Sequence, residues 1–70
     1  MIYVILYSMC VGAHGSASDV FHSASLNQKE AEKLYSELIL TKRYYEKSLW
    51  QIDSKGVRTK LKNDIFDEGN

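Results

Sequence analysis

A chain of 70 residues is at most one domain, and a folded chain of that size buries only about 60% of the surface its unfolded form exposes, so its core is thin. With 44% hydrophobic, 26% charged and 11% aromatic residues, the composition is that of a globular protein and excludes wholesale disorder or low complexity. Nine Lys and Arg balance nine Asp and Glu, and the chain holds one cysteine and two histidines, which removes net charge as a draw to nucleic acid or anionic lipid, excludes an internal disulfide and argues against a protein-coordinated zinc site.

Residues 1–13 carry no charged side chain. The run lacks the basic flank of a secretory signal and falls short of the ~20 apolar residues that a membrane-spanning helix needs. Tyr3, Val4, Ile5 and Tyr7 are aromatic or β-branched, and the spacing predicts a buried central strand with Cys10 as a small hydrophobe at its end. Residues 12–18, small, polar and with two glycines, read as a loop. Asp19 to Ala24 alternates as a second strand, with Val20, His22 and Ala24 on one face and Phe21 on the other.

A helix follows. Ser25 or Asn27 can cap it, and Asn27 with Glu30 has capping-box spacing. Ala31, Leu34, Tyr35 and Leu38 form one apolar stripe, while Lys29, Glu30, Glu32, Lys33 and Glu37 take the outer face. The helix is expected to end between Leu40 and Lys42, with Lys42 and Arg43 complementing its negative end.

Arg43 to Asp53 reads as a third strand. Tyr44, Trp50 and Ile52 share one parity and Tyr45 and Leu49 the other, so the strand is either buried in part on both sides or bulged near Lys47 and Ser48. Asp53 to Gly56 forms a turn, and Val57 to Leu61 completes a hairpin. Residues 1–61 make one domain on this reading. Residues 62–70 form a partly disordered tail anchored by Ile65 and Phe66, with Asp67 to Asn70 frayed.

The order β-β-α-β-β predicts an α+β fold: a small antiparallel sheet of order 2-1-3-4 with one helix packed on one face. Ile5, Leu34 and Leu38 are its expected buried residues. The other face is left bare, and some of Tyr3, Tyr7, Tyr44, Tyr45 and Trp50 must point out from it.

Little in the sequence points to catalysis. Ser, His and Asp occur between His14 and His22, with Cys10 nearby, but outside the strand-to-helix setting of a nucleophile elbow. The glycine loop at residues 12–16 lacks the Lys-Ser/Thr ending of a phosphate cradle and runs into a strand. His14, His22, Cys10 and Asp19 lack the paired spacing of a metal ligand set. The expectation is therefore a protein without catalytic residues, cofactor or metal. Lys55, Arg58, Lys60 and Lys62, beside Trp50, resemble a surface for single-stranded nucleic acid. Alternation instead places Arg58, Lys60 and Lys62 together on the solvated side of an edge strand, where lysines discourage aggregation. Tyr44, Tyr45, Trp50, Arg58 and Lys60 are the candidate contact residues, for another protein or for a second copy in a homodimer. A small nucleic-acid binder and an accessory structural subunit are the alternatives.

An apolar strand at Met1, a second strand ending in Val20-Phe21-His22-Ser23, a helix carrying Glu30-Ala31-Glu32-Lys33-Leu34 and an aromatic strand from Tyr44-Tyr45 to Ile52 together resemble the short α+β proteins that bacteriophages and mobile elements use in host takeover and anti-defence. The resemblance covers residues 1–61. It implies a non-enzymatic inhibitor in the bacterial host cytoplasm that binds and occludes a host or antiviral-defence protein, with no membrane association and no catalytic residues to carry over.

Overall fold

The computed structural model describes residues 1–67. Its elements are β1 (Ile2–Cys10), a single 3-10 turn (Gly12–His14), β2 (Ser16–Ser25), α1 (Gln28–Glu37), β3 (Tyr44–Ile52) and β4 (Arg58–Ile65). The strands form one sheet of order β2-β1-β3-β4, antiparallel at every pairing. The fold is thus the α+β arrangement expected, with the most apolar strand paired on both sides and β2 and β4 at the edges.

Several boundaries differ from those expected. The loop after β1 is shorter, because the backbone of Ser16 and Ala17 pairs with Cys10 and Met9; a ladder needs no apolar side chains, only paired amides and carbonyls. Gly12 (φ 64°) and Gly15 (φ 131°) turn the chain, and Val11 N donates to the Gly15 carbonyl at 2.9 Å. β4 likewise continues past Leu61 to Ile65, pairing Lys62 with Leu49 and Ile65 with Glu46. Residues 62–65 are therefore sheet rather than tail, and Phe66 N adds a bond of 2.7 Å to the Tyr45 carbonyl. The expected fraying beyond Asp67 concerns residues outside those described.

Asn27 caps α1, its Oδ1 accepting from Glu30 N at 3.1 Å, while Asn27 N donates to Ser25 Oγ at 3.0 Å. The helix ends at Glu37, with Leu38 already extended. Lys47 of β3 meets its carboxyl end: the Nζ donates to the Tyr35 carbonyl at 2.8 Å and the Leu38 carbonyl at 3.0 Å. An amine there satisfies carbonyls that the helix leaves open and opposes the negative end of its dipole.

The core is small. Tyr3, Ile5 and Leu49 of the sheet meet Ala31 and Tyr35 of the helix, with Leu34 and Leu38 packed half-buried at its margin. Ile5 is buried as expected, whereas Leu34 and Leu38 are displaced from the centre because the helix rests on its Ala31–Tyr35 line. The small Ala31 side chain, fully buried, allows close approach. Tyr35 ties three elements together: its hydroxyl donates to Asp64 Oδ2 of β4 at 2.6 Å and to the Lys47 carbonyl at 3.3 Å, and the Lys47 ammonium lies 4.3 Å from its ring centroid. At ten residues the helix spans only ~15 Å, about half the length of the strands beneath it.

Candidate functional site

Cross-strand partners share a face of a sheet, so the register shows which side chains stand together. Tyr3, Ile5 and Tyr7 of β1 pair with Gln51, Leu49 and Lys47 of β3 and face the helix; Ile2, Val4, Leu6 and Ser8 pair with Ile52, Trp50, Ser48 and Glu46 and face away from it. On that uncovered side, Val4, Leu6, Asp19, Trp50, Ile52 and Arg58 line a shallow groove of about 670 Å³. Trp50 is half-buried, and Arg58 and Lys60 are exposed. Phe21, opposite Leu6 on the β2 edge, is 62% exposed, and Ile2 is 44% exposed.

Four shifts in register interrupt the ladders; one, between Tyr7–Val20 and Met9–Ala17, takes in Ser18 and Asp19 of β2, and the other three sort the charged and aromatic residues between the two faces. In β3 the extra residue is Tyr45, between the pairs Ser8–Glu46 and Met9–Tyr44. A bulge, one of the two arrangements expected of this strand, is thus present, but at Tyr45 rather than near Lys47 and Ser48, and its effect is to turn Tyr44 toward the helix side. There the Tyr44 ring packs edge-on against Tyr7 at 5.7 Å, and both line a cleft with His22 and Leu38. Tyr44 therefore does not join Trp50 in one patch. In β4 the extra residue is Leu61, between Leu49–Lys62 and Trp50–Lys60. Arg58 and Lys60 stand on the uncovered face, whereas Lys62 stands on the helix face, 3.5 Å from Glu32. The expected common face for Arg58, Lys60 and Lys62 is thereby broken. In β2, His22 is extra between Ile5–Ser23 and Leu6–Phe21, so Ala24 and Phe21 share the uncovered face and His22 does not alternate with Ala24.

Of the five candidate contact residues, Trp50, Arg58 and Lys60 come together. Lys60 Nζ lies 5.1 Å from the centroid of the Trp50 ring, within cation–π range. Tyr44 is on the other face, and half-buried Tyr45 occupies the bulge, its carbonyl holding Phe66. The sequence reading missed Val4, Leu6, Asp19 and Ile52 as lining residues, although it placed Ile52 on the same parity as Trp50. For Val4 and Leu6 the signal was present, since their parity in β1 is opposite to that of Ile5. Asp19 has φ 53°, a backbone shape Asp tolerates better than most residues, and nothing in the local sequence marks it.

Beyond the apolar groove the face becomes polar. Ser8 and Ser48 are buried; Ser8 Oγ donates to Glu46 Oε1 at 3.4 Å, Asn63 Nδ2 to Glu46 Oε2 at 3.2 Å, and Trp50 Nε1 to Ser48 Oγ at 2.9 Å. These bonds fix the tryptophan ring and satisfy the hydroxyls. His22 contacts Ser23 Oγ at 2.9 Å through Nδ1, but these are sequence neighbours, and Asp19 lies on the opposite side of the sheet. Among the described side chains, Ser, His and Asp are thus not gathered into one nucleophilic set. Cys10, expected as a small hydrophobe at the end of a buried strand, is exposed, since it ends that strand beyond the reach of the helix. Among the described residues, no three His, Cys, Asp or Glu side chains stand together as candidate metal ligands, and no helix is long and apolar enough to cross a membrane. No protein-family model, curated protein or solved structure matches the chain.

Proposed function

We propose that this chain is a non-enzymatic protein-binding module that works through the uncovered face of its sheet, with Trp50 as the anchor and Arg58 and Lys60 on the rim. The observation that carries this reading is the composition of that face: a half-buried tryptophan over aliphatic Val4, Leu6 and Ile52, bordered by cations. Tryptophan and arginine dominate measured interface energies, and apolar centres with polar rims are the anatomy of interfaces. The removal of Lys62 to the other face shortens the basic strip and favours protein over nucleic acid as the partner. The resemblance to phage anti-defence proteins adds a finer form of the same proposal, in which this face occludes a site on a bacterial host protein in the cytoplasm.

The test is capture on the immobilised chain, comparing the parent with Trp50→Ala and with an outer-face control, Lys29→Ala. The expected result is a protein held by the parent and the control and lost by Trp50→Ala. Equal retention by all three, or low-salt capture of nucleic acid alone, would overturn the reading.

A further inference from the structure

We infer that the chain carries a second site, on the helix side of the sheet and apart from the uncovered face, that takes a small molecule with one aromatic ring and one anionic group. α1 ends at Glu37, and Leu38 is already extended. The helix therefore stops short of the far end of the sheet and leaves Tyr7, His22, Leu38 and Tyr44 around a cleft of about 230 Å³. Two of the bulges supply its walls: His22 is the extra residue of β2, and the extra Tyr45 of β3 turns Tyr44 to this side. Bulges that re-aim a side chain are over-represented beside functional sites.

The walls set the class of ligand. The Tyr7 ring centroid lies 6.2 Å from that of His22 at an interplanar angle of 83°, and 5.7 Å from that of Tyr44 at 70°. Rings attract one another at these separations and angles, positive edge to negative face, and a ligand ring entering the cleft extends the same packing. An enclosed cavity of ~150 Å³ holds a benzene, so this cleft has room for one ring and a short substituent. The charge of that substituent follows from the surroundings. Among the described residues no carboxylate lines the cleft, whereas two cations stand beside it. The Lys47 ammonium is already held by the Tyr35 and Leu38 carbonyls. Arg43 is exposed, and among the described residues no carboxylate pairs with it. Its guanidinium carbon lies 5.8 Å from the centroid of the Tyr44 ring, within reach of a group projecting from the cleft, and its planar fork of donors matches a carboxylate or phosphate. A cationic ligand would instead meet like charge from both residues. His22 contacts Ser23 Oγ through Nδ1, which leaves Nε2 open to the ligand.

Titration of the isotope-labelled chain with phenyl phosphate, followed by NMR, tests the site. Saturable shifts are expected at His22 and Tyr44, with a dissociation constant on the order of 1 mM for so small a ligand in an open cleft. The indole N–H of Trp50, on the other face of the sheet, should stay where it is. Inorganic phosphate lacks the ring and phenyltrimethylammonium reverses the charge, and each should bind at least about ten-fold more weakly. Arg43→Gln, at an exposed position that leaves the cleft walls intact, and Tyr44→Leu, which keeps bulk but removes a ring, should each weaken phenyl phosphate by about ten-fold. Circular dichroism checks the fold of both, and Arg43→Gln decides alone if Tyr44→Leu unfolds. The absence of saturable shifts, inorganic phosphate binding as tightly as phenyl phosphate, tighter binding of the cation, or indifference to Arg43→Gln overturns the inference. Shifts confined to Trp50 and its neighbours put the ligand on the uncovered face and overturn it as well. None of these results bears on the capture of a protein by that face, so the two readings fail separately.

Discussion

Tyr35→Phe isolates one hydroxyl that links the helix to the edge strand. The ring stays, so its packing against Ile5 and Leu49 and its contact with the Lys47 ammonium are kept. What is lost is the 2.6 Å bond to Asp64 Oδ2 and the longer contact to the Lys47 carbonyl. Hydrogen bonds to charged groups contribute ~1.5–3 kcal/mol, and because Asp64 is exposed, water can replace the donor, which places the loss near 1.5 kcal/mol. In a domain of this size that lowers Tm by about 6–12 °C. Burial, and then the Asp64 carboxylate beside it, hold the Tyr35 phenol well above its ordinary value of 10.0. The folded protein therefore keeps this proton at pH values where the unfolded chain releases it. Its stabilisation is complete below about pH 10 and is lost as pH rises beyond that value. Urea unfolding of parent and variant at about pH 8 and about pH 11 separates this hydroxyl from the other tyrosines, which are common to both. The parent should lose more stability between the two conditions, narrowing its advantage. A variant within ~0.5 kcal/mol of the parent at the lower pH, or equal losses in both proteins, would refute the coupling.

Leu49→Ala should cost ~2–5 kcal/mol by opening a cavity at a fully buried position, and denaturant unfolding should show Leu34→Ala costing clearly less, because Leu34 lies at the margin. Ala31→Leu should destabilise by ~1–3 kcal/mol through overpacking where the helix touches the sheet, read from the same unfolding curves; a neutral result would mean that the helix rests elsewhere. Amides of Val4 to Leu6 should be the slowest to exchange with deuterium, since β1 is paired on both sides and opens only with the whole domain; rapid exchange there would contradict the central placement. Lys62→Ala should change stability by less than ~0.5 kcal/mol, because its contact with Glu32 is between exposed groups, and a larger thermal shift would show that this pair matters more than its exposure allows.

The topology was legible because several local features agreed: an uncharged β-rich run in β1, an Asn27-capped amphipathic helix, and an Asp53–Gly56 turn. Asp53 Oδ1 indeed accepts from Lys55 N and Val57 N. Half the candidate surface was legible for the same reason, since Trp50, Arg58 and Lys60 are held together by a hairpin whose turn is written in the sequence. What escaped was where the bulges fall. One extra residue reverses the face of every side chain beyond it, and Tyr45, Leu61 and His22 each do so without glycine or proline to mark the place. Tyr44 and Lys62 were assigned to the wrong face on that account. The ends of β2 and β4 were missed because the side chains there are polar and the ladder alone orders them. Lys47 was unreadable as a cap because its partners lie on a helix that precedes it in the chain and meets it only after the sheet has formed.

That last contact bears on the order in which the chain acquires its structure. A ten-residue helix is marginal in water on its own, below the ~12–15 residues at which even favourable sequences hold helical shape. Here the group that completes the helix end arrives from β3, and the residues that hold Lys47 in place are themselves paired with β1. A nascent α1 would therefore flicker until β1 and β3, about forty residues apart along the chain, close the long loop that contains β2 and the helix. Folding speed should follow that non-local closure rather than helix propensity, so that substitutions raising helicity on the outer face of α1 would slow unfolding while leaving the refolding rate nearly unchanged.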